Sequence, residues 1–302
     1  MAARFVLRGL KVVCSDSSHY FPFHPACSLI IVHPFGDLSH VLSAFWRWAI
    51  CLALTLPLAL PHLQSQWPQL RRNWRPILLL GLLGVGCFNT FAYLALQHTT
   101  ATSALLLNSF IPIATLALAW IVLGKRLPWA GCCGVLLSLG GVLTIVARGD
   151  FATLSALGIN IGDLWMLAAV VVWAMYTVGL HWRPTGVDPM LLLAAMTVVG
   201  LAALTPAYLW EIAQGQHIVV SHASLAGIAY VGALPGFLGF VFYNRAVAEV
   251  GPGKASLFIH LMPVFGTLLS AIFLDERPQA YHAVGILLIF AGIYITSTRK
   301  TA

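Results

Sequence analysis

The feature that most constrains this chain is that one stretch of it is written twice. Displacing the sequence by 151 positions lays residues 95–145 over 246–296 without a gap. Leu falling on Leu would mean little in so apolar a chain. The residues that punctuate structure also fall into register, however: Pro112 on Pro263, Arg126 on Arg277, Gly134 on Gly285 and Gly141 on Gly292. Agreement of breakers and small residues over this length marks an internal duplication, so the fold must accommodate two related units.

Composition then selects the solvent. With 60% hydrophobic and 8% charged residues and a mean hydropathy of +0.89, the 302 residues carry too little polar surface to cover a water-soluble globule. The expected class is an all-α membrane protein, a polytopic helical bundle with the lipid bilayer as its surroundings. A formal charge of +7 would suggest nucleic acid in a soluble chain. Here the basic residues lie between apolar runs and report orientation instead, so no nucleic-acid partner is expected. The six cysteines all precede residue 134 and show no CxxC and no Cys/His spacing suited to a metal. No metal and no cofactor is expected, and Cys132 and Cys133 read as small packing residues.

A membrane-spanning helix needs about 20 mostly apolar residues. Nine runs qualify, at about 38–61, 76–97, 101–123, 129–147, 160–182, 188–210, 224–246, 254–274 and 279–297. Residues 1–36 do not make a tenth, because they carry Arg4, Arg8, Lys11, Asp16 and three prolines, and their longest apolar stretch is Leu29 to Val32. They also lack the apolar core of a signal peptide. The duplication nevertheless asks for a helix at 10–31 to match 160–182, since the next pair obeys the rule: Asp37 and Asp188 each open an apolar run. Two readings of the N-terminus are open, a short re-entrant or interfacial piece, or a start other than the gene product's original one, such as a shifted reading frame. The second is favoured. The expected organisation is an atypical segment 1–36, a first repeat 37–148, a second repeat 149–298 and a tail 299–302.

Loop charges set the topology. Arg71, Arg72, Arg75, Lys125, Arg126, Arg183, Arg245, Lys254, Arg299 and Lys300 fall on one side of alternating helices. The other side collects Asp37, Arg148, Asp150, Glu211, Asp275, Glu276 and Arg277. The positive-inside bias puts the first group, and with it the C-terminus, in the cytoplasm. The two copies then face opposite ways, because GKR at 124–126 is cytoplasmic while its duplicate DER at 275–277 is outside. Two inverted repeats related by an in-plane axis are the architecture of alternating access about a midplane site, so the chain reads as a carrier.

The segments NSFIPIATLALAWIVLGKRL and IHLMPVFGTLLSAIFLDERP, the opening helix AFWRWAICLALTLPL and the stretch GDLWMLAAVVVWAMYTV together resemble the EamA family of the drug/metabolite transporter superfamily. The likeness covers residues 37–298. It implies ten helices in two inverted five-helix repeats, both termini cytoplasmic in the plasma (bacterial inner) membrane, and export of small metabolites such as amino acids. The chain departs from the family plan in its first helix, and at Lys125, where the first copy usually carries an acidic residue that Glu276 keeps in the second.

Arg47 is the one charge well inside a run, where hydrocarbon burial costs about 3 kcal/mol on insertion scales. Its planar fork suits a carboxylate, so it is a candidate to bind an amino-acid substrate, or to pair with Asp37 or Asp163. An arginine that snorkels to the interface or ties two helices together is the alternative. Pro112 and Pro263 each remove the bond to the carbonyl four residues earlier and are expected to kink their helices, and such kinks commonly border cavities. Asn108 and Ser109 in one copy and His260 in the other put polar groups beside them, either facing substrate or bonding helix to helix. Trp46, Asn89, Trp173, Tyr176 and Tyr243 are further candidates for the wall of a substrate cavity, with core packing as the plain reading of each. Trp48, Trp67, Trp74, Trp129 and Trp182 read as interface anchors, and Gly81, Gly84, Gly134, Gly140 and Gly141 as close-packing positions.

No Asp or Glu lies deep in a run and no P-loop is present, so downhill facilitation or loose coupling is expected. An intramembrane enzyme is the rival from another class, but no HExxH, no GxSxG and no pair of acids at membrane depth supports one. A non-transporting membrane partner subunit is the third reading.

Overall fold

The structure is a computed structural model that describes residues 40–125, 128–150, 160–215, 222–273 and 278–298. The expectations placed on 1–36, on Asp37, Arg126 and the DER corner, and on 299–302 lie outside these residues. Among the described residues there is no strand, and the helices follow the apolar runs. They are α1 (His40–Arg72), α2 (Trp74–Leu96), α3 (101–123), α4 (Trp129–Val146), α5 (Ile161–Trp182), α6 (Pro189–Ala213), α7 (222–250), α8 (252–273) and α9 (Ala280–Thr298). Eight are long and apolar enough to cross a membrane. In α8, a 3-10 turn at Phe258–Leu261 divides two shorter helices. Ile121, Leu287 and Phe242 are 74%, 69% and 65% exposed, a surface suited to lipid rather than water. The chain is a polytopic all-α membrane protein.

Local chemistry explains the helix starts and stops. Asn160 and Asp163 close a capping box on α5, and the Asp188 carboxylate accepts from Met190 and Leu191 N–H ahead of Pro189 on α6. Gly124 and Gly251, with φ of 66° and 86°, end α3 and separate α7 from α8. One boundary differs from expectation. The linker 62–75 is helical as far as Arg72, so α1 has 33 residues, about 50 Å of helix against a hydrocarbon core of about 30 Å. The extension persists because it docks: Asp188 N–H donates to Gln66 Oε1 at 2.7 Å, and His62 Nε2 stands 4.0 Å from the Asp188 carboxylate.

The duplication reappears as symmetric packing. Gly134 of α4 lies against the Gly292 carbonyl of α9, and Gly141 against that of Gly285, so the register falls along one helix as it rises along the other. These helices are duplicates running antiparallel, in contact through the same glycines. The pair α1/α6 is also antiparallel, since Leu42 N–H near the start of α1 donates to Glu211 Oε2 at the far end of α6, opposite the Gln66–Asp188 contact. Both copies carry a π-helical segment at the same place, Leu82–Cys87 in α2 and Gly232–Leu238 in α7. Gly81, just before the first segment, and Gly232, which opens the second, let them close on α6 and α1. Gly140, in contrast, faces open space and is no packing position.

Candidate functional site

Arg47 sits two turns into α1 and only 6% of it is exposed. It does not snorkel. One guanidinium N–H donates to Asn89 Oδ1 on α2 at 2.9 Å, and the guanidinium carbon lies 5.5 Å from the Trp48 ring centroid, within range of cation–π attraction. Arg47 Nε, Asn89 Nδ2 and Trp48 Nε1 are buried with no hydrogen-bond partner in the protein. Such orphaned donors each cost about 1–3 kcal/mol, more on a charged group. Asp163 is not the partner of Arg47, because its carboxylate accepts from Thr99 Oγ1 at 2.6 Å and from Asn160 N–H at 3.0 Å.

A second cluster gathers three of the aromatic candidates. Trp173 Nε1 donates to Tyr243 Oη at 3.1 Å, Thr177 Oγ1 lies 2.8 Å from the same oxygen, and Tyr176 donates to Asn244 Oδ1 at 2.6 Å. Trp173 and Tyr176 centroids are 5.3 Å apart, and Trp173 and Tyr243 centroids 5.1 Å. Phe240 joins this cluster to the arginine: its ring meets Trp173 at 5.5 Å and Trp48 at 4.8 Å, both edge-on. α5 supplies Trp173, Tyr176 and Thr177 within little more than one turn, so one helix face presents all three.

Trp48 is therefore a correction. It is fully buried at the joint between the two groups rather than anchored at an interface, whereas Trp67, Trp74, Trp129 and Trp182 are all more than half exposed. Trp46 lies outside the cluster, 41% exposed, with its ring edge-on to Phe45. Sequence reading missed Phe240, Thr177 and Asn244. Asn244 had a signal, a polar side chain inside an apolar run, and Thr177 follows Trp173 by one helical turn.

The proline positions form a third locus. Pro112 and Pro263 each occupy the second position of a helical segment, Ile111–Leu123 and Met262–Phe273, so each helix restarts at its proline. This placement costs little, because N–H groups in the first turn have no helical partner. His260, fully buried, fills the join: its Nε2 donates to the Ser109 carbonyl at 2.9 Å and its Nδ1 lies 2.7 Å from Ser138 Oγ. A carbonyl can only accept, so Nε2 carries a proton, while Nδ1 and the Ser138 hydroxyl share the second bond. Ser109 and His260 are themselves related by the 151-residue shift, so α3, α4 and α8 are tied together where the copies meet. Asn108 makes a long contact from Nδ2 to Met262 Sδ, 3.8 Å. Among the described residues no three His, Cys, Asp or Glu side chains group to hold a metal ion.

The arrangement has relatives. A solved crystal structure superposes with a TM-score of 0.72 over 89% of this chain and 91% of that one, at 21% identity, and so shares the fold. A Bacillus subtilis protein named as the uncharacterized transporter YyaM is 26% identical over 87% of this chain and 86% of its own length. A probable terminal-alkyne amino-acid exporter of Streptantibioticus cattleyicolor is 28% identical over 76% of this chain and 74% of its own. The profile of the EamA-like transporter family matches twice, at residues 28–147 and 160–298, once for each copy of the repeat. With both copies matched over most of its length, the chain belongs to the EamA-like transporter family.

Proposed function

We propose that the protein exports small metabolites, amino acids or related amphipathic compounds, by alternating access between its two repeats, 37–148 and 149–298. The observation that carries this reading is the contact of duplicates across a two-fold relation. Gly134 meets Gly292, Gly141 meets Gly285 and Ser109 meets His260. Equivalent halves facing opposite ways have two related arrangements of nearly equal energy, and exchanging them moves access from one face to the other. The exporter from Streptantibioticus cattleyicolor, whose name specifies an amino acid, supports the substrate class. The loop-charge bias supports a C-terminus on the cytoplasmic side, in the plasma membrane or bacterial inner membrane. The orphaned donors around Arg47 and the aromatic cluster beside them supply a charged end and an amphipathic wall.

Counterflow in reconstituted vesicles tests this. Vesicles loaded with unlabelled amino acids should accumulate the labelled compound transiently, above equilibrium and without an imposed proton gradient. Chemical conversion of the solute would indicate an enzyme instead, and neither result a partner subunit.

A further inference from the structure

Arg47 and Asn89 present more buried donors than the protein accepts. Their one mutual bond uses Asn89 Oδ1, leaving the amide's own Nδ2 and the guanidinium Nε without a partner, although Asn89 and Arg47 are only 4% and 6% exposed. Neither the His62–Asp188 pair nor the Arg245–Glu249 pair involves Arg47. What the pair lacks is an acceptor that is anionic and can take N–H groups from both side chains.

We propose that this acceptor is the carboxylate of the transported solute, with one oxygen on Arg47 and the other on Asn89 Nδ2. A carboxylate can take N–H groups from both side chains and neutralises the single charge beside the Trp48 ring. Access is controlled by the π-helical segment of α7. A methyl group at Gly236 would lie 3.7 Å from Arg47 Nε, and one at Gly232 3.0 Å from the Arg47 carbonyl, so this backbone rests on the arginine and must withdraw for a solute to reach it. π-helical turns are rare and recur at functional positions, which suits a segment that moves. The inference rests on the carrier reading and names the chemical class of its solute.

The full chain in vesicles is offered the twenty L-amino acids, each beside its carboxamide. At least one acid should drive counterflow about tenfold or more better than its amide, the discrimination expected when a charged, buried partner goes unmet. The decisive variant is Asn89→Asp, which gives Arg47 an internal carboxylate. It should fold with an unchanged or higher melting temperature, yet lose the preference for acid over amide. Arg47→Gln should lose the same preference. If Arg47 only ties α1 to α2, Asn89→Asp improves the tie and leaves the preference intact, which overturns the proposal. Wild-type vesicles that move acids and amides equally well overturn it too, while leaving the carrier reading in place. Movement of neither removes both.

Discussion

The α4/α9 pair and the region around Arg47 are built from the same duplication and have treated it in opposite ways. Along α4/α9 each glycine meets the duplicate of its neighbour, and both copies have kept the residues that allow it. Around Arg47 the shifted positions carry different chemistry. Asn89 corresponds to Phe240, Ala92 to Tyr243 and Tyr93 to Asn244, while buried Arg47 corresponds to Val198, which is 51% exposed. A surface that touches its own duplicate must suit both partners, so divergence there is penalised twice. The solute site proposed above has one charged end and one apolar wall, which two identical half-sites would not supply.

The symmetric side of this contrast is the more easily broken. Gly141→Leu should cause the largest loss, because any side chain at 141 meets the Gly285 carbonyl and Ile289, and the two backbones must separate along their length. Overpacking of about 3 kcal/mol or more lowers the melting temperature on the order of 10 °C. Gly285→Leu should do the same, since it pushes on the same contact from the other copy. Gly140→Leu, one residue away but facing open space, should leave the temperature near that of the wild type. Thermal unfolding in detergent measures all three, and equal effects at 140 and 141 would remove the glycine contact as the cause.

The join at His260 sharpens the comparison, because the two related positions contribute differently. His260 uses its ring, whereas Ser109 offers its backbone carbonyl and turns its hydroxyl back to Leu106 within its own helix. His260→Ala therefore leaves the Ser138 hydroxyl and the Ser109 carbonyl unmet and opens a void, costing about 2–3 kcal/mol. Ser138→Ala should cost about 0.6 kcal/mol, the average for an interhelical bond in a membrane. Ser109→Ala should cost less still. A melting temperature more sensitive to Ser109→Ala than to His260→Ala would mean that the ring is not what ties α3 and α4 to α8.

Much of this architecture was legible because hydrocarbon makes hydropathy an almost literal record of helix position. The runs gave the helices, and the 151-residue register matched Gly134 with Gly285 and Gly141 with Gly292, although the crossed contact of Gly134 with Gly292 and Gly141 with Gly285 emerged only from the packing. The site was less legible, since a buried aromatic and a lipid-facing one are written with the same letter. Trp46 and Trp48 are two residues apart in α1, yet one is 41% exposed and the other buried, and only the packing of α7 against α1 separates them. The length of α1 was also hidden, because its last turns are polar and carry Pro68, and they remain helical through contacts with Asp188 far along the chain.

The smallest effect is expected where one copy carries a polar group that the other has never needed. Thr115 Oγ1 on α3 is fully buried without a hydrogen-bond partner, and the shifted position in α8 is Gly266. Thr115→Val keeps the branched shape and removes an unmet hydroxyl, so the melting temperature should hold or rise by about 2–4 °C, corresponding to roughly 1 kcal/mol. Here the two copies are expected to differ without consequence, in contrast to Asn89 and Phe240, where the difference belongs to the proposed solute site. A fall of several degrees in Thr115→Val would show that the hydroxyl is bonded in the working protein, and would move Thr115 from the neutral differences between the copies to the functional ones.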